Sequence, residues 1–413
     1  VAGAEAWDVM SARHLKLVRA SAFKPRKPGQ PSLFSEPGFI TEFSALTGAP
    51  FTGGNDAKFL VNGPASFSQR EQLIKNAKKS IYFLTWAVYD DETGRWALDL
   101  LAAKRREGID VKVMVDGKVS ADHGKKTLPL FSQAGIDVIR FQDDSRKYDG
   151  IHCKAMIVDG EIAIAGGMNL GDEYSHMGTG SKWRDTDVLV TGPALAQFNA
   201  MFSGYWNEQV KAHSLPFSTV PAAAGPADAA GNSRVSVVHQ TPGRESYVLL
   251  GILKAIYGAS TRINIENAYL VMMPALKTAL LDALARGAEV NIFTNSAESA
   301  GEPVLSAQIL KSLPDMLAAG AHVYLRQGST LHSKFLTIDG VFCNIGSFNM
   351  HPRSIRYERE MVVNILDRQK TGELDDIFQN DIAEARKITS PDQLNLQSHS
   401  KNNLIQKYFF NQL

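Results

Sequence analysis

The sequence has almost no net charge, only two cysteines and no long apolar stretch. The 413 residues carry 44 Lys and Arg against 43 Asp and Glu, a net charge of +1. A dedicated nucleic-acid binder usually has a strongly basic face, so the balance argues against that class. The two cysteines, Cys153 and Cys343, are too few for a cysteine metal cage or a disulfide framework. They are expected to be buried thiols, with a disulfide between them as the minor alternative.

No stretch approaches the roughly 18 apolar residues that a membrane span requires. The chain begins at Val1 rather than at methionine. Together these features favour a secreted or periplasmic protein with peripheral membrane contact. The composition, 44% hydrophobic and 21% charged, is that of a globular protein, and the length suggests about two to three domains.

The chain divides by composition into four segments. Residues 1–55 are interpreted as an N-terminal arm, in which 14–23 could form a short helix and the proline-rich stretch 24–38 lies extended on the body. A partly disordered tail is the alternative. Regular structure is expected from about Lys58. The remaining segments are a first domain at 56–212, a linker at 213–233 rich in Pro, Ala, Gly and Ser, and a second domain at 234–413.

Helical and strand patterns alternate in both domains, which predicts an α/β fold with a mostly parallel sheet covered by helices. The same order of elements occurs twice. The helix-ending glycines Gly108 and Gly287 are 179 residues apart in the two copies. The period is too long for a solenoid, so two similar domains facing each other are expected.

A short motif closes each copy: "HCKAMIVDGEIAIAGGMN" from His152 and "HSKFLTIDGVFCNIGSFN" from His332. Both contain His, Lys, Asp and Asn at identical spacing, and the histidines are 180 residues apart. The repeated set is His152, Lys154, Asp159 and Asn169 in the first copy, and His332, Lys334, Asp339 and Asn349 in the second.

These residue types suit an anionic phosphoryl group. Lysine and asparagine bind phosphate oxygens, and an imidazole exchanges bonds and protons near neutral pH. Displacement at phosphorus needs a nucleophile on one side and a proton donor on the other. Two copies related by a pseudo-two-fold axis supply both, so the duplication is expected to build one site, in which a covalent phosphohistidine forms and is released by water or an alcohol.

A nucleophilic histidine also needs an acidic partner that orients it. Asp187 and Glu360 stand at strand starts that follow the two motifs, and each is predicted to orient one histidine. Asp159 and Asp339 each precede a glycine, so they are interpreted as structural turn residues.

The double motif resembles the phospholipase D superfamily, and further stretches such as "GGMNLGDEY" and "GSFNMHPRS" are similar to bacterial cardiolipin synthases and related phospholipases D. The resemblance covers about residues 58–365. It implies two α/β/α sandwich domains with the site at their interface, and neither metal nor cofactor. It also implies His152 as nucleophile, His332 as general acid, and Asp187 and Glu360 as their acidic partners.

The first functional hypothesis is therefore a phospholipase D that hydrolyses glycerophospholipid head groups or transfers the phosphatidyl group to an alcohol. Transfer to phosphatidylglycerol would make it a cardiolipin synthase. A nuclease of the same superfamily is a further alternative, and a binding protein with an inactive site is disfavoured by the intact motifs. Tyr269, Leu270, Val271, Met272 and Met273 could contact acyl chains, but a buried strand end and helix start is the favoured interpretation of this segment. Trp183 is a similar candidate, on a loop at the mouth of the site.

Overall fold

Regular structure begins well before the predicted start near Lys58. The computed structural model describes residues 33–221, 228–301, 303–394 and 396, together with residues 13, 16 and 30. The extended conformation proposed for the proline-rich stretch is wrong at its described end, because a helix already begins at Pro37. A proline is tolerated in the first helical turn, where its missing N–H has no partner to lose. The helix proposed for residues 14–23 lies outside the described residues apart from residue 16.

Seven of the eight described strands of the first half form one sheet, and the eighth, Gly150–Ile151, pairs with a strand of the second half. In chain order, the described strands β1 to β8 are Thr52–Val61, Ser80–Thr85, Asp110–Asp116, Asp137–Phe141, Gly150–Ile151, Ala155–Val158, Ile162–Gly166 and Thr186–Thr191. Across the sheet the order is β1-β8-β7-β6-β2-β3-β4. Only the neighbours β2, β3 and β4 pair in parallel, and the other neighbours of this order are antiparallel.

The second half repeats this sheet. In the part of the chain that the structure describes, β9 to β16 are Ser233–Gln240, Arg262–Asn267, Glu289–Asn295, His322–Arg326, Lys334–Ile338, Phe342–Gly346, Glu358–Leu366 and Arg386–Ile388. Their order is β9-β15-β14-β13-β10-β11-β12, with β16 added beyond β12. β1 and β9 pair with each other through Thr52 with Val235 and Asn55 with Ser233. The two sheets are therefore one continuous mixed sheet.

The prediction of a mostly parallel sheet is wrong for a local reason. Each motif strand is followed by an Asp-Gly pair with positive φ at both residues, 56° and 73° at Asp159 and Gly160 and 54° and 63° at Asp339 and Gly340. Two such residues make a tight hairpin turn, which returns the chain antiparallel to the motif strand. Strands that alternate with helices pair in parallel, and this alternation holds only before each motif.

Helices cover both faces of the sheet. Within the described ranges, α1 to α13 are Pro37–Thr47, Asn62–Asn76, Glu92–Arg106, Gly117–His123, Thr127–Gln133, Asp172–Ser175, Leu195–Ala212, Tyr247–Gly258, Pro274–Ala285, Pro303–Lys311, Pro314–Ala318, Pro352–Arg356 and Arg368–Ala383. α10 and α11 are separate helices rather than one long helix, because Pro314 lacks the N–H that would continue α10.

Aromatic contacts attach α1 to the second half. Phe34, Phe39 and Phe43 surround the ring of Phe342, with centroid distances between 5.3 and 6.3 Å. All four side chains are buried. The end of the arm is therefore part of the core of the second half.

The described part of the linker packs against α7. The indole N–H of Trp206 donates to the carbonyl of Ser218 at 3.0 Å, and Asn207 exchanges two hydrogen bonds with Val220. Residues 222–227 lie outside the described residues. The division of the chain at 55, 212 and 233 stays a prediction.

One hydrophobic core contains residues from both halves, among them Phe198 and Trp206 of the first and Phe335 and Phe378 of the second. The shared core lies under the joint of the two sheets. No helix within the described residues combines the length and the apolarity needed to cross a bilayer.

Candidate active site

The two motif histidines lie just before β6 and β13 and face the interface between the halves. His152 is 6% exposed and His332 is 4% exposed. Their lysines, Lys154 and Lys334, are 1% and 2% exposed. Each histidine also contacts an acid of the opposite half, so the two motifs converge on one buried site.

His152 is paired with an acid of the other half. Its Nδ1 lies 3.0 Å from Oε1 of Glu360, at the start of β15. A carboxylate only accepts hydrogen bonds, so Nδ1 carries the proton and Nε2 keeps its lone pair. Ser354 donates to the same Glu360 oxygen at 2.7 Å, and Ser347 donates to the other one. Glu360, predicted to orient one of the two histidines, thus lies against His152, and the contact crosses the interface.

The acid predicted for the other histidine is wrong by two residues. Nδ1 of His332 lies 2.7 Å from Oδ2 of Asp185. Asp187 is held elsewhere, by Ser66 at 2.6 Å and by Arg70 at 2.9 Å. The register of the sheet explains the error, because equivalent positions in the two halves are those that pair with equivalent residues of the preceding strand.

Asp187 pairs with Gly166 on β7, whereas Val362 pairs with the equivalent Gly346 on β14. Two residues earlier on each strand stand Asp185 and Glu360. Asp185 and Glu360 are therefore the equivalent positions. Asp187 directly precedes the apolar run "VLV" at 188–190, and Glu360 directly precedes "MVV" at 361–363. The first run starts two residues later in register than the second, so the two acids before them are not equivalent.

Adjacent glycines make room for the acids of the first half. A Cβ on Gly166 would lie 2.2 Å from Oδ1 of Asp187, and one on Gly167 would lie 2.3 Å from Oδ1 of Asp185. A side chain at either position would displace a carboxylate. The two glycines of the stretch "AGG" thus allow two carboxylates to approach the backbone closely.

The site concentrates positive groups away from water. Burial lowers the pKa of Lys154 to about 8 and that of Lys334 to about 7. Burial also holds the pKa of His332 well below its usual value, and the charge of Lys334 lowers it further. Nζ of Lys334 lies 2.9 Å from Nδ1 and 3.2 Å from Nε2 of His332. An anion between the motifs would stabilise every one of these charges.

The two asparagines present unused amide atoms in the same region. Asn169 is 1% exposed and its Nδ2 has no hydrogen-bond partner among the described residues. Asn349 is 4% exposed, and its Oδ1 is likewise without a partner there. A buried amide without a partner is costly, which favours a ligand that completes it.

Three aromatic rings enclose His332, and one of them, Tyr174, was not assigned to the site from the sequence. Tyr174 meets the imidazole edge-on at 5.0 Å between centroids, and Trp183 and Tyr269 lie at 5.3 and 6.2 Å. Trp86 packs edge-on against His152 at 5.7 Å. The position of Tyr174 in the quoted stretch "GGMNLGDEY" was the available signal.

Most of the residues proposed to contact acyl chains are core residues. Tyr269, Leu270, Val271 and Met273 are at most 7% exposed, and Met272 is only partly buried. Trp183 is partly buried against the ring of Tyr174. The geometry agrees with the buried strand end and helix start that the sequence favours for the 269–273 segment.

Asp159 and Asp339 lie at the turns rather than at the histidines. The carboxylate of Asp159 accepts from the backbone N–H groups of Lys78, Lys79 and Ser80. Asp339 accepts from the N–H groups of Ser260, Thr261 and Arg262. Each acid thereby ties a motif hairpin to the start of the neighbouring strand.

One group in the described residues has ligand atoms close enough for a metal ion. Atoms of His152, Glu358 and Glu360 all lie within 4.8 Å of one another. Glu358 is already paired with Arg353 at 2.8 Å and with Ser354 at 3.1 Å. Because these oxygens bind within the protein, we assign no metal to them. Cys153 and Cys343 are buried and free.

Two buried histidine–carboxylate pairs that cross the joint of a duplicated α/β fold, with a lysine two residues after each histidine, define the phospholipase D class of active site. The comparison with protein families agrees. The chain matches the family described as "Cardiolipin synthase, PLD-like domain" twice, over residues 71–206 and 252–382, and belongs to that family.

Curated relatives cover most of the chain. Cardiolipin synthase 2 of Staphylococcus epidermidis is 28% identical over 373 residues, which are 86% of this chain and 73% of the relative. A cardiolipin synthase of Staphylococcus aureus is 29% identical over 354 residues, 82% of this chain and 69% of the relative. One from Listeria monocytogenes is 26% identical over 359 residues, 83% and 72% of the two chains.

Solved structures share the fold. The phosphatidylserine synthase of Haemophilus influenzae Rd KW20 superposes with a TM-score of 0.71 at 16% identity, covering 91% of this chain and 100% of that one. A polyphosphate kinase from Porphyromonas gingivalis gives a TM-score of 0.55 at 13% identity over 94% and 56% of the two chains. At these identities the likeness extends to the fold alone.

Proposed function

We propose that this protein is a phosphatidyltransferase that makes cardiolipin from two phosphatidylglycerol molecules through a phosphohistidine. The observation that carries the proposal is the pair of crossed dyads, His152 with Glu360 and His332 with Asp185, set beside buried cations. The names of the curated relatives support transfer between lipids over the hydrolysis that the sequence placed first.

In the first step, Nε2 of His152 attacks the phosphorus of phosphatidylglycerol. The bond from phosphorus to the head-group oxygen breaks, and His332, which is protonated in the complex because the bound phosphate raises its pKa, gives its proton to the departing glycerol. Glu360 holds the proton on Nδ1 of His152 and stabilises the positive charge that develops on this ring. The products are free glycerol and a phosphatidyl group bonded to His152.

In the second step, His332 takes the proton from a hydroxyl of a second phosphatidylglycerol. The hydroxyl oxygen attacks phosphorus, and the bond from phosphorus to His152 breaks. Asp185 orients His332 through both steps. Microscopic reversibility thus gives the two histidines fixed roles, although the site that contains them is nearly symmetric.

The phosphate oxygens would be held by Lys154, Lys334, Asn169 and Asn349. The lysines supply charge, and a phosphate between them raises their pKa values again because it replaces lost hydration with an opposite charge. Asn169 supplies the Nδ2–H that lacks a partner among the described residues. Asn349 would donate its Nδ2–H to the phosphate, because its unpartnered Oδ1 can only accept a hydrogen bond and suits a substrate hydroxyl. Water competes with the lipid hydroxyl for the same intermediate, so exclusion of water decides the product.

The test uses purified protein with vesicles of phosphatidylglycerol and phosphatidylethanolamine, with and without ethanol, and resolves the lipids by mass. Cardiolipin and free glycerol are the expected main products, with phosphatidylethanol when ethanol is added. His152→Ala is expected to abolish all of them.

Three other results would contradict parts of the proposal. Phosphatidic acid as the main product would assign a hydrolytic phospholipase D. Full turnover by His152→Ala would refute the nucleophile. No lipid turnover by the folded wild-type protein would refute the lipid substrate, and single-stranded DNA would then test the nuclease alternative, which the net charge of +1 disfavours.

A further inference from the structure

An arginine stands directly before each orienting acid and reaches into the opposite half. Arg184 precedes Asp185, and its Nε and Nη2 donate to the two carboxylate oxygens of Asp381 on α13 at 2.8 and 2.6 Å. Arg359 precedes Glu360, and its Nη1 and Nη2 donate to the two oxygens of Glu208 at 3.0 and 2.7 Å.

The two contacts are equivalent under the duplication. Glu208 lies on α7, which follows β8, and Asp381 lies on α13, which follows β15. Each half thus donates an arginine to the last long helix of the other. Forked guanidinium–carboxylate contacts fix orientation as well as distance, because two parallel hydrogen bonds leave little rotational freedom.

The same arginines hold the histidines through the backbone. The N–H of His332 donates to the carbonyl of Arg184 at 2.7 Å, and the N–H of His152 donates to the carbonyl of Arg359 at 2.9 Å. Each histidine is therefore fixed at two points by one dipeptide of the opposite half. The arginine carbonyl holds its backbone, and the following acid holds its ring.

Both guanidinium groups are buried, so their position depends on their partners. Arg184 is 5% exposed and Arg359 is 3% exposed. Arg359 lies over the rings of Phe141 and Tyr205, at 4.9 and 4.8 Å from their centroids. A buried guanidinium that loses its carboxylate must move or draw in water, and either change would shift the dipeptide.

The contact between Arg184 and Asp381 contains an additional acid. Glu266 on β10 is fully buried, and its Oε1 lies 3.8 Å from Nη2 of Arg184. Burial and then the charge of Asp381 raise the pKa of Glu266 well above its usual value. Asp381, which accepts both forked hydrogen bonds, is therefore the direct carboxylate partner of Arg184, and Glu266 lies beyond hydrogen-bond distance. The equivalent contact at Arg359 is completed by aromatic rings instead.

We propose that Arg184 with Asp381, and Arg359 with Glu208, are two crossed interdomain clamps that position the reacting histidines. They are positioning residues, since neither side chain contacts a histidine ring. The proposal rests on the proposed function in taking the two imidazoles as reacting groups. The competing explanation is that the contacts only hold the halves together.

The experiment removes the distal carboxylates, which lie away from the site. Glu208→Gln and Asp381→Asn are compared with Asp375→Asn as a matched control. Asp375 lies on the same helix as Asp381, its side chain is equally 12% exposed, and it pairs with Arg262 inside the second half. The readouts are kcat and KM for vesicle lipid, the thermal midpoint, and the imidazole resonances and titrations of isotope-labelled histidine.

The clamps predict a crossed pattern. Glu208→Gln should shift the resonance and titration of His152, Asp381→Asn should shift those of His332, and each should lower kcat about tenfold with little change in KM, because small misplacements of reacting groups are costly. Asp375→Asn should lower the thermal midpoint and leave both resonances and kcat unchanged.

Clamp variants that behave like Asp375→Asn, with a lower midpoint only, would overturn the positioning role. If the wild-type protein turns over no lipid but the crossed shifts of resonances appear, the proposed function fails and the clamps stand. Lipid turnover without crossed shifts in the variants would retain the proposed function and refute the clamps.

Discussion

The pairing of each histidine with one particular acid decides which nitrogen can react. Nδ1 of His332 faces Asp185 at 2.7 Å, whereas Asp187 forms a buried ion pair with Arg70 at 2.9 Å. The two aspartates are two residues apart and equally buried, yet they are held for different reasons. Their substitutions should therefore separate catalysis from stability.

Asp185→Asn is expected to lower kcat by about 10²-fold or more, because an amide no longer fixes the imidazole tautomer and does not stabilise its charge. Asp187→Asn should lower the free energy of unfolding by about 3 kcal/mol by leaving Arg70 buried without a counter-ion, with little change in kcat. Steady-state rates and denaturant unfolding of both variants provide the measurement. The reverse pattern would restore Asp187 as the orienting acid.

The shifted pKa values of the ligand-free site also predict that kcat/KM is high only in a narrow pH range. Burial raises the pKa of Asp185 to about 6, so below that pH it is protonated and holds His332 poorly. Lys334 has a pKa of about 7 and Lys154 one of about 8, so their charges, present at lower pH, are lost as the pH rises through these values. An anionic phosphodiester then binds less well.

The ratio kcat/KM, which reports the free enzyme, should be greatest between about pH 6 and pH 7 and fall on both sides. Lys334→Arg keeps a charge at all these pH values, so the alkaline limb should move upward even if the larger side chain slows the reaction. Profiles of the two proteins on the same vesicles make the comparison. An unmoved alkaline limb would show that Lys334 is not the titrating group.

At the scale of single elements, local pattern predicted most of the fold. The helix over Glu92–Arg106 has Asp91 as its N-cap, three basic residues in its last turn and Gly108 with φ of 88° after its end, and each of these signals is visible in the sequence. The strands around it were equally clear from their apolar runs.

The errors at this scale come from interactions that no local window contains. α1 depends on the ring of Phe342, some 300 residues away in the chain, and the antiparallel half of each sheet depends on Asp-Gly turns that tie back through Asp159 and Asp339. Asp185 could not be identified as the orienting acid from the sequence, because pairing between strands decides which positions of the two halves are equivalent. The distance of a residue from an apolar run does not. Arg184 and Arg359 were missed because their partners lie on the other half.

At the scale of the molecule, the two halves are joined strongly enough to unfold together. β1 pairs with β9, and β5 pairs in parallel with β15 through Gly150 and Ile151. A core with members from both halves lies beneath the joint. Although chains of this length often unfold in steps, these contacts predict one cooperative transition for the described body.

The placement of tryptophan makes this prediction measurable. All five tryptophans precede residue 213, so indole fluorescence arises from residues of the arm and the first half, whereas the far-ultraviolet circular dichroism signal arises from both halves. Leu280 on α9 is fully buried in a core that belongs to α1 and the second half. Leu280→Ala should cost about 2–5 kcal/mol through its cavity.

If the halves unfold as one unit, Leu280→Ala lowers the midpoint seen by tryptophan as much as the midpoint seen by circular dichroism, by roughly 2–6 °C for a chain of this size. Phe131→Ala, in a core confined to the first half, is the reciprocal variant and should shift both signals equally as well. A tryptophan midpoint that stays at its wild-type value in Leu280→Ala would show that the first half is stable without the second. Because each histidine is held by the opposite half, the same variant would then lose activity at temperatures where its tryptophan signal is still native.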